Sequence, residues 1–313
     1  MTTPVPIELI RGRHRRTDTL SRDKKPSWLR VRAPGSPDYL RLKRLMRTLS
    51  LTTVCEEANC PNIGECWNHG TATFMILGDV CTRSCGYCNV VHGTPQAIDT
   101  KEPDRVAEAV ETLELQHVVI TSVDRDDIAD GGSGIFALTI SAIRRQSPQC
   151  RIEVLIPDFS GRTNDLYTVL NATPNILNHN IETVERLYRV ARPGGRYDRA
   201  LGLLKKAGDY RPSVPIKSGV MVGLGESLDE LFCTINDLRE ANCNILTIGQ
   251  YLRPSVAHLP VIKYYHPDEF TMLKEHASGL GFRHVESGPL VRSSYHAHEQ
   301  ANAAELSSTS CSA

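Results

Sequence analysis

The chain has 313 residues, with 36 Lys and Arg against 36 Asp and Glu and with ten cysteines. That length can bury the core of one α/β barrel, and the even charge balance gives no reason to expect nucleic acid or a membrane surface as a partner. No run of about 18 apolar residues spans a bilayer and no apolar stretch near the N-terminus reads as a secretory signal, so the cysteines are expected as reduced thiols in the cytoplasm.

Residues 1–50 hold thirteen Lys or Arg against four Asp or Glu. They read as a basic, extended arm that ends in a short helix near Tyr39–Leu49. Residues 51–73 form a loop-rich segment with Pro61, Gly64 and Gly70, and they carry the first three cysteines. From Phe74 onward, apolar runs alternate with amphipathic stretches, a pattern that predicts a parallel sheet. Strands are expected at Phe74–Val80, His117–Val123, Arg151–Pro157, Ile176–Asn180, Ile216–Leu224 and Ile245–Tyr251. Helices are expected at Pro103–Leu115, Ile135–Gln146, Tyr197–Ala207, Leu228–Ala241 and Asp268–Leu280. The six βα units predict an α/β fold, a partial (β/α)6 TIM-like barrel over residues 74–285 that leaves a lateral opening. Gly281–Val291 adds one more candidate strand, and residues 286–313 hold a last motif and a small polar tail, Ala301–Ala313, expected to be disordered.

Six of the ten cysteines fall within 34 residues, as Cys55, Cys60 and Cys66 and then Cys81, Cys85 and Cys88. A structural zinc site is closed by four ligands, so two groups of three fit zinc poorly. Three thiolates suit a 4Fe–4S cubane that keeps one iron open to a fourth, non-cysteine ligand. The second triad directly follows the first apolar run, and the C-terminal end of a strand is where barrel enzymes keep their chemistry. For the first triad, spacing alone leaves zinc as an alternative. Cys150, Cys233, Cys243 and Cys311 have no neighbouring ligand at metal spacing and read as plain buried or tail thiols.

CxxxCxxC with an aromatic residue, Tyr87, before the last cysteine resembles the signature of radical S-adenosylmethionine (SAM) enzymes. Cys55-Glu-Glu-Ala-Asn-Cys60-Pro-Asn-Ile-Gly-Glu-Cys66-Trp resembles a second signature, that of the lipoyl synthase family. Gly249-Gln-Tyr-Leu-Arg-Pro-Ser255 and Gly288-Pro-Leu-Val-Arg-Ser-Ser-Tyr-His-Ala297 resemble the same family, in the expected order and across most of the chain. The resemblance implies a sulfurtransferase that inserts two sulfur atoms at C6 and C8 of a protein-bound octanoyl group. It implies SAM and two 4Fe–4S clusters, the radical cluster on Cys81, Cys85 and Cys88 and an auxiliary, sulfur-donating cluster on Cys55, Cys60 and Cys66. The auxiliary cluster's fourth ligand is then Ser294, and alkoxide is a harder, weaker partner for iron than thiolate. A cluster held by one labile bond suits dismantling.

By the same resemblance, Tyr87 shields the radical cluster and the loop at Asp130 receives the amino group of SAM. Asn180, Glu182 and Arg192, with Arg196 beside it, face the ribose or carboxylate, and Gly223 and Gly225 approach the adenosine. Each has a plainer reading beside it: an acidic loop before a helix, a hydrogen-bonded barrel rim, a solvated helix-start cluster, and strand-to-helix punctuation. His296 and His298 read as surface residues. The implied partners are octanoylated carrier domains (2-oxoacid dehydrogenase E2 subunits and the glycine cleavage H protein), a flavodoxin or ferredoxin reductant, and an iron–sulfur carrier. Other classes are a different sulfur-inserting or methylthio-transferring radical enzyme, a zinc-binding module, and a ferredoxin-type electron carrier. The last would need only clusters and a small fold.

Overall fold

The computed structural model describes residues 4–7, 25–30, 36–57, 60, 62–68, 71–295 and 297. Most of the basic arm, His296, His298, Cys311 and the polar tail lie outside the described residues. The strands are β1 (Thr52–Thr53), β2 (Thr71–Ile76), β3 (Val80–Cys81), β4 (Val91–His92), β5 (His117–Ser122), β6 (Arg151–Leu155), β7 (Ile176–Asn178), β8 (Ile216–Val222), β9 (Ile245–Gln250) and β10 (His284–Gly288). The helices are α1 (Pro37–Thr48), α2 (Val54–Glu57), α3 (Ile63–Asn68), α4 (Glu102–Thr112), α5 (Ser133–Gln146), α6 (Thr163–Asn171), α7 (Tyr188–Ala191), α8 (Tyr197–Tyr210), α9 (Leu228–Glu240) and α10 (Pro267–Gly279).

Val118, Val119 and Ile120 of β5 and the whole of β2 and β9 are buried, as expected for parallel strands covered on both faces. The main sheet runs in the order β1-β2-β5-β6-β7-β8-β9-β10. β1 is an antiparallel edge, and the other seven strands are parallel. Among the described residues no ladder joins β10 back to β1 or β2, so the barrel is open. All seven parallel strands therefore end at one rim, and each strand hands its next residues to that rim. One core cluster joins the strands to the helices, for instance Ile120, Val154 and Ile248 to Phe136, Ile140 and Ile235. Among the described residues no helix is long and apolar enough to cross a membrane.

The predicted strands hold their places, with one displacement. The first runs over Thr71–Ile76 in place of Phe74–Val80, because Leu77 (φ 70°) and Gly78 (φ 91°) turn the chain out of the sheet. Glu102 takes the Leu77 N–H at 2.7 Å and Arg125 Nη1 donates to the Leu77 carbonyl at 3.1 Å, so this turn is fully bonded. The cysteine-bearing segment expected as loop contains the short helices α2 and α3, and α6 was not anticipated. The candidate last strand forms as β10, with Gly288 in register with Gly249 of β9.

Below the rim, β6 and β8 carry an ion pair entirely out of water. Lys217 Nζ lies 2.9 Å from Glu153 Oε1, Asn178 Nδ2 donates to the same oxygen at 3.0 Å, and His117 stands 3.8 Å from the other oxygen. Burial alone would raise the Glu153 pKa, but Lys217 and then His117 outweigh it and bring the carboxyl from 4.5 to about 2. Lys217 has one carboxylate against complete burial, so its own pKa falls. The Glu153 contribution to stability is present above its ordinary pKa of 4.5 and is lost as pH falls through about 2. Lys217→Met leaves Glu153 buried without its main counter-charge, and should cost about 3–5 kcal/mol. Urea unfolding at neutral pH reads this out, and adding Glu153→Leu should return most of the loss. A Lys217→Met chain as stable as its parent would refute it.

Candidate metal centres

The second triad lies in the long connection from β2 to α4. Cys81 sits in β3, which pairs with β4, and its carbonyl takes the Gly93 N–H at 2.9 Å. The Cys81 sulfur accepts the backbone N–H groups of Asp124 at 3.3 Å and Arg83 at 3.4 Å, so it already points at two donors that stabilise a thiolate. Cys88 N donates to Cys85 O at 3.1 Å in a tight turn, and Gly86 N donates to Ala191 O at 2.8 Å. A Cβ on Gly86 would stand 2.9 Å from Leu259 Cγ, so only glycine lets this turn settle on the loop after β9. His258 from that loop reaches Cys88 O with Nε2 at 2.9 Å and Ser255 Oγ with Nδ1 at 2.9 Å. A carbonyl can only accept, so Nε2 carries the proton and Nδ1 accepts from the Ser255 hydroxyl.

Arg83, inside the motif, is almost fully buried and holds the loop to two other strand ends. Its Nε and Nη2 donate to Asp126 at 2.7 and 2.8 Å, and Nη2 also donates to Asp158 at 2.6 Å. Asp158 takes Arg199 as well, at 3.2 Å. Burial would raise Asp158, but Arg83 holds it well below the usual carboxylate range. Sequence reasoning missed Arg83, Asp158 and His258, while Asp124 stood in the acidic loop at residues 121–127 that it singled out for binding an amine. Arg83 had a signal in its place between two ligands; the others became legible only when the strand ends came together.

Beside the triad, β7 continues into Asn180 and Glu182. Glu182 has φ 69°, a backbone position that costs energy for any residue but glycine, and it stays there because Glu182 N bonds Gly219 O and Met221 N bonds Glu182 O. Its carboxylate receives hydrogen bonds from Asn180 and Tyr87; burial raises its pKa, and Arg192 is the main opposing influence. Arg192 donates to Asn180 O at 2.9 Å and Tyr188 OH at 3.2 Å, yet its Nε and the Asn180 Oδ1 are buried without a partner. A buried donor and acceptor left open next to a triad of thiols make a place for a small, zwitterionic ligand. Arg196 lies outside this group, paired with Asp198 on the surface. Asp130 spends both oxygens on Gly132 N and Gly134 N, at 3.0 and 2.9 Å, and so closes the turn that starts α5. Gly223 and Gly225 (φ 108° and 112°) form a turn whose Gly223 and Leu224 amides bond Glu226. A Cβ on Gly223 would fall 2.2 Å from Gln250 Nε2, which already explains that glycine by packing.

The first triad gathers beside the first residues of β2, and Asn89, next to Cys88, donates to the Glu57 carbonyl of its segment at 2.7 Å. α2 presents Cys55, Cys60 N bonds Cys55 O at 3.0 Å, and α3 presents Cys66. Trp67, next to it, is buried and stacks on Tyr39 of α1 with ring centroids 4.9 Å apart. The segment after β10 returns to this place. Asn62 Nδ2 donates to Leu290 O at 2.7 Å, and Tyr295 OH lies 3.2 Å from Glu65 Oε1. A Cβ on Gly249 would stand 2.1 Å from Val291 O, so the returning segment rests directly on bare backbone. The result is a small cavity, partly open to solvent, lined by all three cysteines together with Thr73, Arg292 and Ser294.

The donor sets favour clusters over single ions. Burial pushes Cys55 up to about 12, Cys85 to about 12 and Cys88 to about 11, so these thiols ionise only when a cation joins them. Among the described residues no three His, Cys, Asp or Glu groups stand close enough to hold one metal ion. Three thiols in each group suit a cubane whose fourth iron takes another ligand, whereas a structural zinc site is closed by four.

The radical SAM superfamily pattern matches residues 75–238, and the N-terminal domain of lipoyl synthase of the radical SAM family matches residues 6–60. The lipoyl synthase of Koribacter versatilis is 60% identical over 278 residues, covering 89% of this chain and 91% of the relative. That of Rubrobacter xylanophilus is 56% identical over 299 residues, covering 96% and 90%. Among solved structures, a methylornithine synthase aligns with a TM-score of 0.51 at 12% identity, covering 79% of this chain and 81% of that one. HydG, a maturase of the FeFe-hydrogenase, aligns with a TM-score of 0.50 at 15% identity, covering 94% and 74%. At such identities these two show the fold alone.

The bare contact at Gly249 gives a direct test. Gly249→Val should push Val291 off β9 and withdraw Ser294 from the first triad, so reconstituted chains lose about four irons while keeping the cluster of the second triad. Full iron content in that variant would separate the contact from the site.

Proposed function

The chain belongs to the lipoyl synthase family of radical SAM enzymes, and we propose that its two cysteine triads divide the reaction between them. Cys81, Cys85 and Cys88 hold the radical cluster, and Cys55, Cys60 and Cys66 with Ser294 hold the auxiliary cluster that is consumed as sulfur donor. The observation that carries this reading is Ser294 lining one cavity with the three cysteines of the first triad. The corresponding domains are a basic arm (1–50), an auxiliary segment (51–73), the barrel (74–285) and the C-terminal motif with its tail (286–313).

When bound, the radical cluster supplies one electron for the reductive cleavage of SAM. The chain's part is to bind and orient. Arg192 Nε is placed to meet a carboxylate, and Asn180 Oδ1 to accept from an amine or a hydroxyl. Glu182, fixed by its strained backbone and by Tyr87, sets the second polar wall, and the Tyr87 ring shields the cluster face. Gly223 and Gly225 bring backbone near the adenosine. Asp130 contributes through the turn it closes. At the first triad, Val291 and Tyr295 hold the segment that presents Ser294, which would offer a bound cluster an oxygen ligand, a weaker partner for iron than thiolate.

The substrate is an octanoyl group on a lipoyl-carrier protein, entering by the open side of the barrel. We assign the E2 subunits of 2-oxoacid dehydrogenases and the glycine cleavage H protein as carriers, a flavodoxin or ferredoxin as reductant, an iron–sulfur carrier for rebuilding, and the cytoplasm as compartment.

Anaerobic reconstitution should give about eight irons and eight sulfides per chain, and zinc near two would sink the assignment. Cys81→Ala, Cys85→Ala and Cys88→Ala should each abolish SAM cleavage. Cys55→Ala, Cys60→Ala and Cys66→Ala should still cleave SAM yet transfer no sulfur; normal 5′-deoxyadenosine from the first set, or lipoyl product from the second without added sulfide, reverses the division. Ser294→Cys should keep its cluster, because thiolate binds iron more tightly, while product formation collapses. Lipoyl product at the parent rate from that variant removes Ser294 from the mechanism and makes Ser293 the next residue to test.

A further inference from the structure

One cation at the first triad has no role so far. Arg292 lines the cavity that holds Cys55, Cys60, Cys66 and Ser294. Its Nη1 donates at 2.6 Å to the carbonyl of its own neighbour, Val291, and stands 3.5 Å from where a Cβ of Gly249 would be. Among the described residues no carboxylate pairs with it, and the hydrogen bond it makes is to its own neighbour. By contrast, Arg83 has Asp126 and Asp158, and Lys217 has Glu153; Arg192, beside the second triad, likewise keeps an open Nε. A half-buried guanidinium that faces three thiols with no carboxylate beside it suits an anion that arrives with the ligand.

Four anionic ligands, three thiolates and one alkoxide, on a 4Fe–4S core of about +2 leave a net charge near −2. We propose that Arg292 is the counter-ion of the auxiliary cluster, a positioning residue that stabilises the anionic, Ser294-ligated state. The inference rests on reading the first triad as the auxiliary site. Its location one residue before the serine pair couples charge to ligation: the motion that withdraws Ser294 also withdraws the cation. Loss of the positive charge should make the cluster harder to reduce and quicker to shed iron, with no need for Arg292 to touch substrate.

The test uses a full chain carrying Cys81→Ala, Cys85→Ala and Cys88→Ala, so that only the first triad loads. In it, Arg292→Gln and Arg292→Lys are compared by iron and sulfide content, by iron loss to a chelator, and by redox titration followed by electron paramagnetic resonance. Arg292→Gln should lower the reduction equilibrium at least tenfold, about 59 mV for one electron, and lose iron several-fold faster. Arg292→Lys should stay near the parent. A Gln variant with the parent's potential and iron retention overturns the proposal, and so does a Lys variant displaced as far as Gln. Where Gln loads no cluster, a loaded Lys variant supports the charge role and an unloaded one refutes it. A parent chain that itself loads no cluster brings down the reading of the first triad, and the counter-ion with it.

Discussion

Six thiols held away from water in two groups of three are the constraint on which this molecule is organised. Burial raises their pKa values, to about 12 for Cys55 and Cys85, so without a cation they stay protonated and bind nothing. The fold tolerates them because each triad sits where several strand ends can offer backbone donors and counter-charges, and because iron supplies the positive charge that burial withholds. The Cys81 sulfur shows the arrangement in small: two backbone N–H groups, one from the loop itself and one from the end of β5, already face it.

Parallel topology makes that convergence cheap. The seven parallel strands of the main sheet end at one rim, so segments far apart in sequence meet without long excursions. Asn62 reaches Leu290, Arg83 reaches Asp158, and His258 reaches Cys88. Close approach is then settled by side chains that are missing. Gly86 accepts Leu259, and Gly249 accepts the Val291 carbonyl, at separations no Cβ permits. The open side of the sheet leaves room for a substrate tethered to another protein, a requirement a closed barrel would meet less easily.

Much of this was legible in the sequence, for identifiable reasons. The apolar β-branched runs at β5, β6, β8 and β9 are strands in the structure because nothing but burial on both faces suits them. The first strand was read three residues late, since Leu77 continues the apolar run while its backbone has already turned. α6 was missed because Thr163-Asn-Asp-Leu166 opens it with polar residues, and its buried face is only Leu166, Val169 and Leu170. α2 and α3 were hidden by the prolines and glycines around them. In the candidate site, alternation along β7 brought out Asn180 and Glu182 correctly as neighbours. Asp130, picked out by the same acidic-loop logic, accepts from the Gly132 and Gly134 amides where α5 begins, bonds that the sequence pattern does not reveal.

The long span of the first site has a consequence for how the protein is made. The second triad needs residues 81–88 and, to be clamped, the loop at His258, all of which are synthesised before Ser294. The first triad is translated earlier, yet its cavity needs Ser294 and Tyr295. Order of synthesis and order of completion are thus reversed: the three cysteines made first wait for the residues that close their cavity.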